Sequence, residues 1–412
     1  VTGTWRAAGA AVAVALVATL ASAPAAAARP LPAPLPAQQP APQCLPAPPA
    51  VSADVPWAQR QLQPQRSWPL TEGDGVLVAV VDSGVDATVP QLRGRVLRGV
   101  DVVTGGPADS DCVGHGTFVA GIIAATPRPD TGFAGVAPGV TVLPIRVTRS
   151  EDSDEVGPSG LAAGIRAAVD RGAEVVNVSA STSKPTPELT AAVAYAADRD
   201  VVVVASMANG TREDERESYP SAYPSVLAVG AVDAAGERAT FSRTGPHLSL
   251  VAPGVDVASV GPGGPGHWQG SGTSYAAPFV SGTAALVRAY RPELSAEQVV
   301  HRLKATATAP AAVLPDPELG WGVVDPAAAV SALLPEERGT PVPAPALAPP
   351  APAAPDGLPT LVAAVLAVGG AFVAAGVVSM SARLGGRAHR RGWRPARTLR
   401  REETAAPQPA TD

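Results

Sequence analysis

Six short apolar runs, most of them rich in β-branched residues and separated by longer stretches of helical periodicity, restrict this chain more than any other feature. The strand-like runs are Val76 to Val81, Thr141 to Val147, Glu174 to Val178, Val201 to Ala205, Val226 to Val229 and Leu248 to Val251. Helix-like runs occupy His115 to Ala125, Pro158 to Arg171, Pro187 to Arg199, Ser274 to Tyr290 and Ser295 to Ala305. Strands that are apolar throughout are buried on both faces, and their alternation with helices points to an α/β domain around a mostly parallel sheet. Val201 to Val204 is the plainest case, β-branched at every position. Ser295 followed by Gln298 fits a capping box and sets the start of the last helix.

Three junctions between these elements carry reactive groups. The first strand ends on Asp82, followed by Ser83 and Gly84; His115 stands in the first turn of a helix; Ser274 stands where a glycine-rich turn becomes an apolar helix. Each junction alone is ordinary loop architecture. Together they place a carboxylate, an imidazole and a hydroxyl at element ends that can converge on one edge of a parallel sheet, the chemistry of an acid, a base and a nucleophile.

The order and flanks of these residues resemble the subtilisin-like serine proteases. The motifs are Val81-Asp82-Ser83-Gly84, His115-Gly116-Thr117-Phe118-Val119-Ala120-Gly121 and Gly272-Thr273-Ser274-Tyr275-Ala276-Ala277-Pro278, and the likeness runs from about Gly73 to Leu334. It implies a three-layer subtilisin-like fold with catalytic Asp82, His115 and Ser274. It also implies an oxyanion hole from the Asn209 amide and the Ser274 backbone N–H, and a substrate-pairing segment from Asn177, Val178, Ser179, Ala180 and Ser181. Two departures stand out: Ala208 occupies the position before Asn209 where the family usually has glycine, and Ser181 also replaces a common glycine.

Outside this region the composition changes. Pro and Ala crowd both ends, leaving one core-forming region of roughly 260 residues out of 412, which suits one large domain. A net charge of −5, with 31 Lys and Arg and no basic stripe in the middle of the chain, argues against a nucleic-acid partner. Val1 to Ala28 reads as a secretory signal peptide cleaved after Ala28, a retained anchor being the alternative. Residues 29–72 form a Pro-rich extension expected to wrap the 73–334 domain. Export would place Cys44 and Cys112, the only cysteines, in an oxidising compartment where they pair; two free buried thiols are the alternative.

A Pro-rich linker, 335–357, leads to Leu358 to Met380, 23 residues without a charge, which as a helix would span about 34 Å. The arginines that follow in the 381–412 tail then predict a single-pass cell-membrane protein with the lipid bilayer as a partner, a cytoplasmic tail and an outward-facing domain.

The acidic residues of Arg149 to Glu155 are favourable before the helix at Pro158, and the resemblance, which sets this loop near the unprimed substrate cleft, implies as an alternative a selector of basic or polar substrate residues; Arg212 to Glu217 reads as a solvated loop or partner surface. The carboxylates at Asp109 to Asp111 are explained by solvent exposure and lack a complete calcium-ligand spacing, so no metal and no cofactor is expected. The whole arrangement resembles the mycosins, which implies a serine endopeptidase acting on selected protein substrates alongside type VII secretion membrane-complex proteins. The alternative is a chiefly structural stabiliser of that complex. Mycosins commonly carry a second cysteine pair between the oxyanion asparagine and the serine motif; this chain has none.

Overall fold

A computed structural model describes residues 33–34, 44–150, 156–210, 217–338, 373–381 and 383. The chain separates into two units, Val1–Arg338 and Gly339–Asp412.

The first unit is built on seven parallel strands: β2 (Leu77–Asp82), β3 (Val100–Asp101), β4 (Thr141–Arg146), β5 (Val175–Val178), β6 (Val202–Ser206), β7 (Val226–Val232) and β8 (Leu248–Pro253), in the order β3-β4-β2-β5-β6-β7-β8. Every described pairing in this sheet is parallel. Apart from Leu77, Val100 and Thr141, the residues of these strands are all buried, as runs covered on both faces must be. After β2 the chain first builds outward through β4, then returns to lay β5 on the other side of β2. Reversal of strand order at β2/β5 opens a crevice beyond the carboxyl ends of the two strands, where open parallel sheets bind their ligands.

One face is covered by α3 (Pro158–Asp170) and α4 (Pro187–Asp198), the other by α2 (His115–Ala124) and the central helix α5 (Thr273–Tyr290). Thr273 to Arg288 of α5 are all buried, the signature of a helix enclosed on every side rather than amphipathic. Phe279, Val280, Leu286 and Val287 are nearly or fully inaccessible, and each such side chain stabilises the fold by about 1.5–3 kcal/mol. Gly282 lets α5 approach the loop before β4, since a Cβ there would lie 2.7 Å from Cβ of Val136. Next, α6 (Ala296–Ala305) starts with the Ser295/Gln298 capping box, both reciprocal bonds being made, and α7 (Pro326–Ser331) is capped by Asp325.

A second, three-stranded sheet joins β1 (Ala33–Pro34), β9 (Val257–Val260) and β10 (His267–Gly270) in the order β1-β10-β9. Its β1 is supplied by the Pro-rich extension, which also carries α1 (Trp57–Leu62). That extension is fixed at several further points. Cys44 and Cys112 form a disulfide, Leu45 N–H donates to Cys112 C=O at 2.8 Å, and the Trp57 indole donates to Val255 C=O at 3.1 Å.

The expected membrane-spanning helix is corrected here. Among the described residues no helix is long and apolar enough to cross a membrane. Of the 358–380 stretch, only 373–380 is described, and it is helical. The transmembrane segment, the bilayer as a partner and the single-pass topology drawn from it are withdrawn with it. The expected signal peptide at 1–28, most of the 335–357 linker, and the parts of the two charged loops at 151–155 and 212–216 lie outside the described residues.

Candidate active site

Asp82 is the last residue of β2 and is completely buried. His115 is the first residue of α2, entered through Gly114 in a left-handed conformation, φ +90°. The His115 Nδ1 lies 2.8 Å and 2.9 Å from the two carboxylate oxygens of Asp82, so the carboxylate favours the tautomer with the proton on Nδ1. Ser83 N–H donates to Asp82 Oδ1 at 2.7 Å, fixing the carboxyl plane. Gly116 is required by this approach, because a Cβ there would overlap Gly84 C=O and lie 3.1 Å from the Asp82 side chain.

Ser274 lies in the first turn of α5 and is 3% exposed. Its neighbour Tyr275 packs its ring 5.2 Å from the His115 imidazole and 4.5 Å from Phe118, which brings the start of α5 against the start of α2. The Ser274 hydroxyl donates to Ser179 C=O at 2.9 Å.

Asn209 follows β6, anchored by Gly210 N–H donating to Phe241 C=O at 2.8 Å. Its Oδ1 accepts from the Thr273 N–H at 3.0 Å and the Thr273 hydroxyl at 3.1 Å. Only the oxygen of a carboxamide accepts, so these two bonds orient the amide and turn its N–H₂ away from Thr273. Ala208, at φ +63°, occupies the left-handed region that costs a residue with a Cβ about 1–2 kcal/mol, which accounts for the strain of an alanine where glycine is usual.

The five residues expected to pair with substrate, Asn177 to Ser181, run along and just past the end of β5 and are buried in the free chain. The Ser181 carbonyl is already engaged, accepting from Val156 N–H at 2.9 Å, and the Asn177 and Ser179 side chains point into the protein's own hydrogen bonds.

Two supporting groups were missed in reading the sequence. Asp111, expected to be solvent-exposed, is buried and accepts from the Gly114 N–H at 2.9 Å, the Thr117 N–H at 2.8 Å, the Thr117 hydroxyl at 2.7 Å and the Ser83 hydroxyl at 3.0 Å. It ties the end of β2, the disulfide loop and the first turn of α2 together. Burial pushes its carboxyl up from the ordinary range, against the pull of the bonds from Gly114 and Thr117.

Arg146, at the end of β4, donates to Ser83 C=O at 2.8 Å, Pro107 C=O at 3.1 Å and Asp101 at 3.0 Å, and also to Ser110 C=O. Burial alone would raise the Asp101 carboxyl, but bonds from Arg149 and Arg146 outweigh it and hold that group far below the usual carboxylate range. The signal for Arg146 was present as an arginine closing an otherwise apolar strand, the kind of buried charge that demands partners.

Comparison with known proteins settles what this arrangement belongs to. The sequence profile of the Subtilase family matches residues 73–322. This chain is a subtilase. Among its relatives is Mycosin-4 of Mycobacterium tuberculosis, 40% identical over 314 residues, spanning 66% of this chain and 68% of that protein. Mycosin-3 of the same organism is 36% identical over 376 residues, spanning 76% of this chain and 81% of that one. Of the solved structures, MycP1 from the ESX-1 type VII secretion system superposes with a TM-score of 0.62 at 32% identity, covering 72% of this subtilase and 90% of that chain. The subtilase described here is therefore a serine endopeptidase related to the mycosins.

Proposed function

We propose that Asp82, His115 and Ser274 are the catalytic residues and that the oxyanion is held by the Ser274 backbone N–H and the Asn209 amide. The observation that carries this reading is the two-oxygen hold of buried Asp82 on His115 Nδ1. In the reaction the Ser274 hydroxyl leaves its resting acceptor, the Ser179 carbonyl, transfers its proton to His115 Nε2 and attacks the peptide carbonyl. His115 then protonates the leaving amine while Asp82 stabilises the imidazolium. Negative charge gathering on the carbonyl oxygen meets donors fixed in advance: the first turn of α5 supplies one, and the Asn209 amide, oriented by Thr273, supplies the other. The Ser179 carbonyl, freed as the hydroxyl turns away, is the backbone acceptor for the substrate residue before the scissile bond.

The natural substrates are selected proteins handled by a type VII secretion system, with components of that system as partners. The likeness to MycP1, a protein of such a system, supports this assignment. The proposed catalytic domain runs over 73–334 with the 29–72 extension wrapped on it. A fluorophosphonate probe is expected to label the protein at Ser274 and not to label Ser274→Ala; a folded wild type left unlabelled refutes the assignment.

A further inference from the structure

Pro278 is the sixth residue of α5 and has no N–H to give. The carbonyl that would have received it, four residues earlier, is that of Ser274. A buried helical carbonyl without its donor weakens the turn that contains it, here the turn that carries the nucleophile. The vacancy is filled from another element: the Ser179 hydroxyl donates to Ser274 C=O at 2.8 Å.

Two further buried groups determine where the Ser179 proton goes. Ser281, seven residues along α5, donates its hydroxyl to Asn177 Oδ1 at 2.8 Å, and Asn177 Nδ2 donates to Ser179 Oγ at 2.9 Å. A carboxamide has one acceptor oxygen and one donor nitrogen, so Ser281 on the oxygen and Ser179 on the nitrogen fix the direction of the chain. Ser179 Oγ receives from Asn177, and its single proton is left for Ser274 C=O. Asn177, Ser179 and Ser281 are at most 1% exposed, so water does not compete for these bonds.

We infer that Ser179 is a positioning residue for the nucleophile. Its hydroxyl takes the place of the helical N–H that Pro278 lacks, and Asn177 and Ser281 hold it to that task. The bond fixes the Ser274 peptide, and with it the direction of the Ser274 side chain and N–H, while Ser274 Oγ reciprocates on Ser179 C=O. Small displacements of reacting groups cost disproportionately in rate, so the effect belongs in the chemical step rather than in affinity. This inference rests on the reading of Ser274 as the nucleophile.

The test uses the full chain and a fluorophosphonate, separating the maximal rate of Ser274 modification from the apparent affinity for the probe. Ser179→Ala is expected to lower the maximal rate about tenfold with apparent affinity unchanged, and Ser281→Ala about threefold. Pro278→Ala restores an N–H four residues after Ser274. In that background the loss caused by Ser179→Ala is expected to shrink to about twofold, which a purely structural serine would not show. An unchanged rate in Ser179→Ala, or the same loss with and without Pro278, overturns the inference. If Ser179→Ala does not fold, Ser281→Ala decides: a rate equal to wild type, with thermal melts confirming the fold, overturns it. A folded wild type left unlabelled refutes the nucleophile assignment instead, a distinguishable result.

Discussion

Acidification is expected to loosen the attachment of the extension through one imidazole. His267 on β10 is 1% exposed, and burial lowers its pKa from 6.5 to about 4, with Asp130 pulling weakly the other way. Its Nε2 faces Gln91 Oε1 at 2.9 Å and the Thr131 hydroxyl at 3.4 Å, its Nδ1 faces Ser52 N–H at 3.5 Å, and the Phe133 ring lies 5.3 Å away. These partners suit the neutral ring, protonated on Nε2 and accepting from the extension on Nδ1; a second proton would set one N–H against another.

The unfolded chain binds this proton near pH 6.5 and the folded chain only near pH 4, so stability is complete above the first value and falls as the pH drops through the interval. At about 1.4 kcal/mol per pH unit the full loss is about 3 kcal/mol, of which about 2 kcal/mol falls between about pH 7.5 and pH 5, before most carboxylates titrate. Urea unfolding at these two pH values, on wild type and on His267→Gln, measures it. Glutamine reproduces one donor and one acceptor without titrating, so the variant is expected to lose about 2 kcal/mol less than wild type over the same interval. Equal losses in the two proteins would refute the assignment of the acid sensitivity to His267.

Three further outcomes follow from the described geometry. The Cys44–Cys112 bridge spans 68 residues, a closure that restricts the unfolded chain by about 4 kcal/mol, so Cys44→Ser with Cys112→Ser is expected to lose about that much in urea unfolding. Asn209→Ala is expected to lower kcat by about 10²–10³, the size of effect seen for loss of the corresponding donor in subtilisin, with KM for a peptide substrate changed far less. Gly282→Ala drives a Cβ to 2.7 Å from Val136 and is expected to cost about 1–3 kcal/mol, read as a lowered Tm.

The sheet and its helices were legible because their runs are long and uniform. Val201 to Val204 has no solvent face, and the capping box of α6 is a local signal that needs no tertiary context. Strands β9 and β10 were not, because the Gly- and Pro-rich turn between them interrupts any periodicity and they pair outside the main sheet. Within the proposed site, Asp82, His115, Asn209 and Ser274 stand out by their motifs. Asp111 does not: three segments converge on it, and no local pattern distinguishes a carboxylate enclosed by backbone donors from one in water. The bond between Ser281 and Asn177 was equally opaque, the two lying 104 residues apart and meeting only because α5 packs across the end of β5. The uncharged stretch at 358–380 shows the opposite failure, in which apolar composition suggested a span that no described helix provides.

Helix α5 packs against strands made long before it in the chain, yet it brings the hydroxyl. A polypeptide interrupted anywhere short of residue 274 holds the proposed acid and base without the proposed nucleophile. During synthesis the proposed nucleophile thus arrives late, after the scaffold strands are all available.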